Sequence, residues 1–286
     1  MHSLTSREFE LMRDYIEKEC GIALSKDKTY LVESRLSGIL AQSGLDSFEQ
    51  LYYRLLSQKD RKMKEEVIDA ITTNETLWFR DKTPWIILEE VLLPKYIEEM
   101  REKKRSKVRI WSAGCSTGQE PYSTAMCIDR YLVRNNIRDI SPDSFEILGT
   151  DISRTVLDIA IAGRYDNISI MRGLDSEYKN RYFTNKGRVW ELSKEIRDRV
   201  QFGQFNLQSS FITLGKFDIV FCRYVAIYFS SELKRQLFDK IIRVLNLPDG
   251  VLFVGNSEIF TDHRDSFIRK EHGKGVYYGV KGHSGV

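Results

Sequence analysis

Gly114, Gly118, Glu120 and Asp151 are the residues whose types and spacing could do chemistry together. The first three lie in WSAGCSTGQEPYS (111–123), where small residues, two glycines and a proline separate two apolar stretches. A glycine turn between a strand and a helix leaves backbone N–H groups unpaired and lets a ligand approach closely. Asp151 ends the next apolar run, FEILGTD (145–151), where a carboxylate can accept both hydroxyl hydrogens of a ribose. Taken singly, such a turn can serve packing alone and such an aspartate can be a helix N-cap. Taken together they favour a nucleoside ligand. The glycines are spaced G-x-x-x-G rather than G-x-G-x-x-G, and no Lys-Ser/Thr follows the second, which argues against a dinucleotide fingerprint and a P-loop. A nucleoside without a phosphate cradle points to S-adenosyl-L-methionine, whose ribose needs the acid and whose methionine tail needs close backbone. The four histidines (His2, His263, His272, His283) sit near the chain ends with no nucleophile–base arrangement, which weakens a hydrolase reading.

The elements that must position these residues fall into two halves. Residues 1–75 read as successive helices. Thr5 and Glu8 form a capping box ahead of Phe9, Met12 and Ile16, and Gly21 closes that helix. Val32, Leu36, Ile39 and Leu40 line a second helix. Ser47 with Gln50 starts a third that carries Phe48, Leu51, Tyr52 and Leu55, and Met63, Val67 and Ile71 mark a fourth. From about residue 107 strands alternate with helices: KVRIWSA, FEILGTD, RVQFGQFN (199–206), KFDIVFCR (216–223) and PDGVLFVG (248–255), closed by an antiparallel pair, SFIRKE and GVYYGVK. Helices are expected from Pro121 to Leu132, from Ser153 to about Ala162, and through Leu237, Phe238, Ile241, Ile242 and Leu245. This alternation implies an α/β fold, a parallel sheet covered on both faces, with ligands at the carboxyl ends of its strands. Residues 164–198 break the rhythm with a small hairpin around Asn185, Lys186 and Gly187.

Composition bounds the rest. With 286 residues and a formal charge of +3, the chain has room for a large domain plus a small one and too little charge to suggest nucleic acid. Asp, Glu or Arg interrupts every apolar run before the roughly 18 residues of a membrane span, so no membrane insertion is expected. MHSLTSREFELMRD lacks a basic segment followed by an apolar one, so no secretory signal is expected. Cys20, Cys115, Cys127 and Cys222 have no metal-ligand spacing and read as reduced core thiols of a cytoplasmic protein. Residues 1–80 carry 12 Lys/Arg against 14 Asp/Glu, so the helical half is not a basic module, although RLLSQKDRKMK (54–64) is locally basic.

TTNETLWFRD (72–81), WSAGCSTGQEPYS, TDIS, FNLQ (205–208), FDIVFCRYVAIYF (217–229), PDGVLFVGNSE (248–258) and VYYG occur in order over nearly the whole chain. In this register the chain resembles the CheR-type chemotaxis receptor methyltransferases. The resemblance implies an all-α N-terminal domain (1–80), a linker helix (81–106) and a class I S-adenosylmethionine-dependent methyltransferase domain (107–286). That domain would have a Rossmann-like mixed sheet with an antiparallel last strand and an inserted antiparallel β-subdomain at about 165–198. It also implies that Asn74, Thr76 and Arg80 cover the cofactor, that Glu120 and Asp151 are its acids, and that Asn206 and Leu207 flank the adenine. Gly114 lies in the cofactor turn, Arg223 and Tyr224 follow the fourth strand, and Tyr228 faces the transferred methyl with Arg80. The implied reaction moves a methyl group from S-adenosyl-L-methionine to glutamate side chains on the cytoplasmic helices of a chemoreceptor. Its products are γ-glutamyl methyl esters and S-adenosyl-L-homocysteine.

The chain departs from that pattern in places. Gln119 replaces an acid beside Glu120, Tyr224 replaces an asparagine, Ala226 replaces a larger apolar residue and Asn256 replaces a histidine. The arginine-rich RL-x-R-R-L-R of the second helix is reduced to RLSGILA (35–41), keeping Arg35 alone. Receptor recognition is therefore expected to be weaker on that face, or moved to Lys26, Lys28 and the basic 54–64 run. The hairpin TNKGRV lacks the longer glycine-containing loop of members that tether to a receptor C-terminal pentapeptide, so pentapeptide independence is expected. The same residues leave open methylation of another acidic protein or small acid, and a non-catalytic cofactor-binding signalling role.

Overall fold

The computed structural model describes residues 4–57, 60–256, 258 and 266–281. His2, His263, His283, Ser257 of the GNSE stretch and positions 58–59 of the basic run lie outside the described residues.

The expected local signals build the first half. The Thr5 side chain accepts from Glu8 N while the Glu8 carboxylate accepts from Thr5 N, opening Ser6–Cys20 (α1), and Gly21 ends it with φ 80°. Thr29–Gln42 (α2) buries Val32, Leu36 and Leu40; Phe48–Leu56 (α3) starts on the Ser47 hydroxyl; Arg61–Ile71 (α4) starts on Asp60. Their apolar stripes meet in one core. Each fully buried Leu, Ile, Val, Phe or Met side chain contributes about 1.5–3 kcal/mol there.

Residues 72–82 have no regular structure, and Phe79, Asp81 and Lys82 take left-handed φ values of 47°, 69° and 58°. The expected linker helix is shorter at both ends. It runs as Thr83–Ile87 (α5), a wide π turn at Leu88–Leu92 and Leu93–Arg101 (α6). Then come Val108–Ala113 (β1), Gln119–Arg134 (α7), Phe145–Asp151 (β2) and Arg154–Ala162 (α8), the last capped by Ser153.

The excursion is richer than a hairpin. Arg164–Asp166 (β3) pairs with Val189–Leu192 (β5), which also pairs with Phe183–Asn185 (β4), making a three-stranded antiparallel sheet. Asn167–Met171 (α9) and Ser176–Tyr182 (α10) fill the connection, and Lys194–Arg197 (α11) follows. Val200–Gln204 (β6), Ile219–Phe221 (β7), Ser231–Val244 (α12), Val251–Phe253 (β8), Phe267–His272 (β9) and Gly275–Val280 (β10) complete the chain.

The main sheet has the order β6-β2-β1-β7-β8-β10-β9. Neighbours from β6 to β8 are parallel, and β10 runs antiparallel to β8 and β9. This is the Rossmann-like mixed sheet, closed by antiparallel strands, that the resemblance implies. Strand order reverses between β1 and β7, so the carboxyl ends of β1, β2 and β7 open a crevice at the topological switch. All four cysteines are buried and free, and burial pushes the thiols of Cys115, Cys127 and Cys222 well above their ordinary range, as inert core thiols require.

Candidate functional site

The turn after β1 is tied to the end of β2. Gly114 N and Cys115 N donate to Thr150 O (2.8 and 2.9 Å), and Ser116 N donates to the Asp151 carboxylate (2.8 Å). Asp151 accepts a second backbone bond from Ser153 N (3.0 Å). It is thus the strand-end acid and a local turn former at once. Burial raises its pKa above the ordinary 3.8, opposed by the backbone N–H groups of Ser153 and Ser116.

Two glycine positions correct the expected reason for the small residues. A Cβ on Gly114 (φ 75°) would lie 2.5 Å from Val225 Cγ2, and one on Gly118 (φ 90°) 2.9 Å from Ala160 Cβ and 3.2 Å from Tyr122. Much of what crowds this backbone is the chain itself. Gly114 still borders the crevice; Gly118 serves helix–sheet packing.

A roof is laid over the crevice by residues 72–82. Trp78 anchors it, with its ring edge-on to Tyr165 (4.9 Å) and Phe183 (5.2 Å), Nε1 donating to Ser169 O and backbone N donating to Arg172 O. The three-stranded sheet thereby holds the roof in place. Ser116 Oγ donates to Asn74 O (2.9 Å), so roof and glycine turn are joined directly.

The helical half closes a third side. Asn206 Nδ2 donates to Glu19 O (2.7 Å) and Gln208 Nε2 to Glu17 O (3.1 Å), satisfying carbonyls in the last turn of α1. Ala23 N donates to Tyr228 O (2.9 Å), and Ile22 bridges to Phe229. Cys20 and Ile22 therefore line the crevice beside Ile152, Phe205 and Leu207 as an apolar wall. None of these helical-half residues was anticipated; the only signal was Gly21, which turns the chain at that point.

One cavity brings together every residue that the resemblance assigns to the site, though not Gly118: Asn74, Thr76 and Arg80 from the roof, Gly114, Glu120 and Asp151 from the β1–β2 region, Asn206 and Leu207 after β6, and Arg223, Tyr224 and Tyr228 after β7. Their side chains are not equally free. Asn206 is committed to Glu19 O and to Gln208 N. Glu120 accepts from Ser112 Oγ (2.7 Å) and from Arg223 Nη1 (2.8 Å). The Arg223 side chain is 1 % exposed, and its Nη2 also meets Asp81 Oδ2 and Arg80 O, each at 2.7 Å. Two carboxylates neutralise that guanidinium. Arg80 is different: it donates to the Glu75 carbonyl (3.1 Å) and stacks on the Tyr224 ring (3.6 Å).

Arg35, the remnant of the expected arginine-rich face, does not project outward. Its guanidinium donates to Ile71 O (2.6 Å), Thr72 O (3.1 Å) and Thr73 Oγ1 (3.2 Å), capping α4 where the roof begins. Along the basic run, Arg54 pairs with Asp60, Arg61 with Glu65, Lys62 with Glu66 and Lys64 with Glu19.

The model for the CheR methyltransferase SAM binding domain matches residues 74–276, and the model for the CheR methyltransferase all-alpha domain matches residues 7–72. The chain belongs to the CheR methyltransferase family. It is 42% identical over 275 residues to chemotaxis protein methyltransferase Cher2 of Pseudomonas putida, covering 96% of this chain and 98% of that one. It is also 42% identical over 280 residues to chemotaxis protein methyltransferase 1 of Pseudomonas aeruginosa, covering 98% and 100%. A chemotaxis protein methyltransferase of Vibrio anguillarum is 38% identical over 280 residues, covering 98% of each chain. The CheR crevice fits S-adenosyl-L-methionine by the chemistry of its lining. It offers a buried carboxylate, Asp151, an apolar wall of Ile152, Phe205 and Leu207, and the Arg80 guanidinium. Asp81, the last residue of TTNETLWFRD and given no role there, helps tie the roof to the strand end through Arg223.

Proposed function

We propose that this chain transfers a methyl group to glutamate side chains on the cytoplasmic helices of a chemoreceptor, giving γ-glutamyl methyl esters and S-adenosyl-L-homocysteine. The observation that carries the reading is the single crevice, roofed by residues 72–82, into which the anticipated cofactor and methyl-transfer residues converge. In this reading residues 1–80 are the helical unit, 81–106 the link, and 107–286 the methyltransferase unit with its insertion at about 165–198.

The bound cofactor supplies an electrophilic sulfonium methyl. Asp151 holds the ribose, Leu207 and Asn206 border the adenine, and Asn74 and Thr76 cover it. A glutamate with its usual pKa of about 4.3 is already ionised at neutral pH, so no general base is needed. The chain's task is to align the carboxylate with the methyl and exclude water. In this reading Ile22, Phe229 and the roof, which line the crevice with Tyr228, exclude water, and Tyr228 faces the transferred methyl. Arg80, stacked on Tyr224 and bonded to the Glu75 carbonyl, serves as the cation of the site. Arg223, neutralised by Asp81 and Glu120, holds the roof down instead.

Acceptor recognition in this reading is pentapeptide-independent. The turn between β4 and β5 is tight, with Gly187 N donating to Asn185 Oδ1 (2.7 Å) and Lys186 N to Val189 O (2.8 Å). Nanomolar to low-micromolar binding of a receptor-tail peptide overturns that part. The inward turn of Arg35 favours a second acceptor reading, an acidic protein that is not a chemoreceptor. Tritiated methyl incorporation into receptor-containing membranes, with base-labile release as methanol, is the expected result. Cofactor binding without incorporation overturns the receptor reading.

A further inference from the structure

We infer that Tyr224 is a positioning residue whose ring, locked by Asp81 and seated on Gly255, aims the Arg80 guanidinium into the cofactor crevice. The inference rests on the cofactor reading of that crevice and goes beyond it, because the aromatic ring at this position is a departure of this chain from the asparagine of the pattern it resembles.

The ring is held at several points. Arg80 Cζ lies 3.6 Å from the ring centroid on one face. A Cβ on Gly255 would come within 2.8 Å of Tyr224 Cε1 and 2.9 Å of Cδ1, so only glycine leaves room there. The hydroxyl donates to Asp81 Oδ2 (2.7 Å) and accepts from Asn256 N (3.3 Å). The same Asp81 oxygen accepts from Arg223 Nη2 (2.7 Å). The backbone is held as firmly: Tyr224 has φ 60°, and its N–H donates to Glu258 Oε2 (2.8 Å). Burial and the Asp81 carboxylate raise the phenol pKa, so the hydroxyl remains a donor at neutral pH.

The Arg80 side chain, by contrast, has one hydrogen bond among the described residues, from Nη1 to the Glu75 carbonyl. An arginine on an irregular roof has many rotamers to lose when it meets an anion. A guanidinium stacked on a fixed aromatic face has lost most of them already, and pre-organisation of this kind strengthens binding without a new contact to the ligand. An asparagine at 224 offers no face on which Arg80 can stack.

The test is calorimetric titration of S-adenosyl-L-homocysteine into the full-length chain, with thermal unfolding as the folding control. Four variants are compared with wild type: Tyr224→Phe, Tyr224→Leu, Arg80→Ala and Arg80→Ala/Tyr224→Leu. Tyr224→Leu is expected to weaken binding roughly 3- to 30-fold, the range for a partly buried cation–π contact. Tyr224→Phe, which keeps the ring and loses the Asp81 tether, falls between Tyr224→Leu and wild type. In the Arg80→Ala background the Leu substitution is expected to change affinity less than about twofold, since the two act as one unit. Wild-type affinity in Tyr224→Leu, or an equal loss in both backgrounds, overturns the inference while leaving the cofactor reading intact. A wild-type chain that binds no S-adenosyl-L-homocysteine overturns both. If the Leu variant does not fold, Tyr224→Phe carries the same cycle with Arg80→Ala.

Discussion

Replacing Arg35 with alanine separates two roles that an arginine on α2 can play. In the structure its Nη1 reaches Ile71 O at 2.6 Å and Thr72 O at 3.1 Å, while Nη2 reaches Thr73 Oγ1 at 3.2 Å. These are the last carbonyls of α4 and the first residues of the roof. A hydrogen bond from a charged donor contributes about 1.5–3 kcal/mol net, and a cation at a helix C-terminus about 0.3–1 kcal/mol. The bonds share one half-exposed side chain and do not add fully, so Arg35→Ala is expected to cost about 2 kcal/mol. For a chain of this size that lowers Tm by about 3 °C. Because Thr72, Thr73 and Asn74 line the crevice, affinity for S-adenosyl-L-homocysteine should fall in parallel. The assay is thermal unfolding and calorimetry on the same preparation, followed by receptor methylation kinetics. An unchanged Tm with a raised KM for receptor would refute the reasoning, because that is the signature of an outward arginine gripping the acceptor.

Asp151→Asn keeps the shape of the strand end but offers an amide where the ribose hydroxyls need an acceptor, and it sets an N–H against Ser116 N or Ser153 N. Loss of a charge-assisted bond is expected to weaken S-adenosyl-L-homocysteine binding about 10- to 100-fold; unchanged affinity in calorimetry sinks the ribose assignment. Burial raises the Asp151 pKa above 3.8, with Asp69 adding to the shift, so the free chain's stability from this group is present below 3.8 and lost as pH rises through the raised value. Ribose hydroxyls favour the ionised form, so affinity should fall as pH drops through that raised value, with protons released on binding; calorimetry in buffers of different ionisation enthalpy measures both, and pH-independent binding without proton release counts against it. Arg223→Met strands Asp81 and Glu120 without their cation and is expected to lower stability by about 3–5 kcal/mol in denaturant unfolding. Adding Asp81→Asn and Glu120→Gln should recover part of that loss, and a loss below about 1 kcal/mol for Arg223→Met alone contradicts the keystone role.

What was legible in the sequence is what short-range physics decides. The Thr5–Glu8 box, the Ser47 cap and the end of β2 at Asp151 all lie where the residue types put them, because each depends on neighbours within a turn. Arg164–Asp166 was not legible as a strand, since three residues carry no alternation and the strand exists only because Val189–Leu192 is there to pair with it. The roof was legible as a motif and illegible as geometry. Nothing about Phe79, Asp81 or Lys82 announces a left-handed backbone, which costs L-residues free energy and persists only where tertiary contacts enforce it.

The same limit bears on which arginine is proposed to meet the ligand. Arg80 and Arg223 both stand in cofactor motifs, and spacing gives no reason to rank them. The ranking comes from their partners: Asp81, 142 residues away in sequence from Arg223, and Glu120 converge on one guanidinium and cancel its charge. Arg80 donates to a carbonyl and stacks on an aromatic face, and the Glu75 carboxylate that feels its charge is already paired with Arg172. A site that must hold the carboxylate of a cofactor tail, and then admit the carboxylate of a glutamate, needs one cation left uncompensated. In the proposed reading that cation is Arg80, and the geometry that aims it is then the part of the site most sensitive to change.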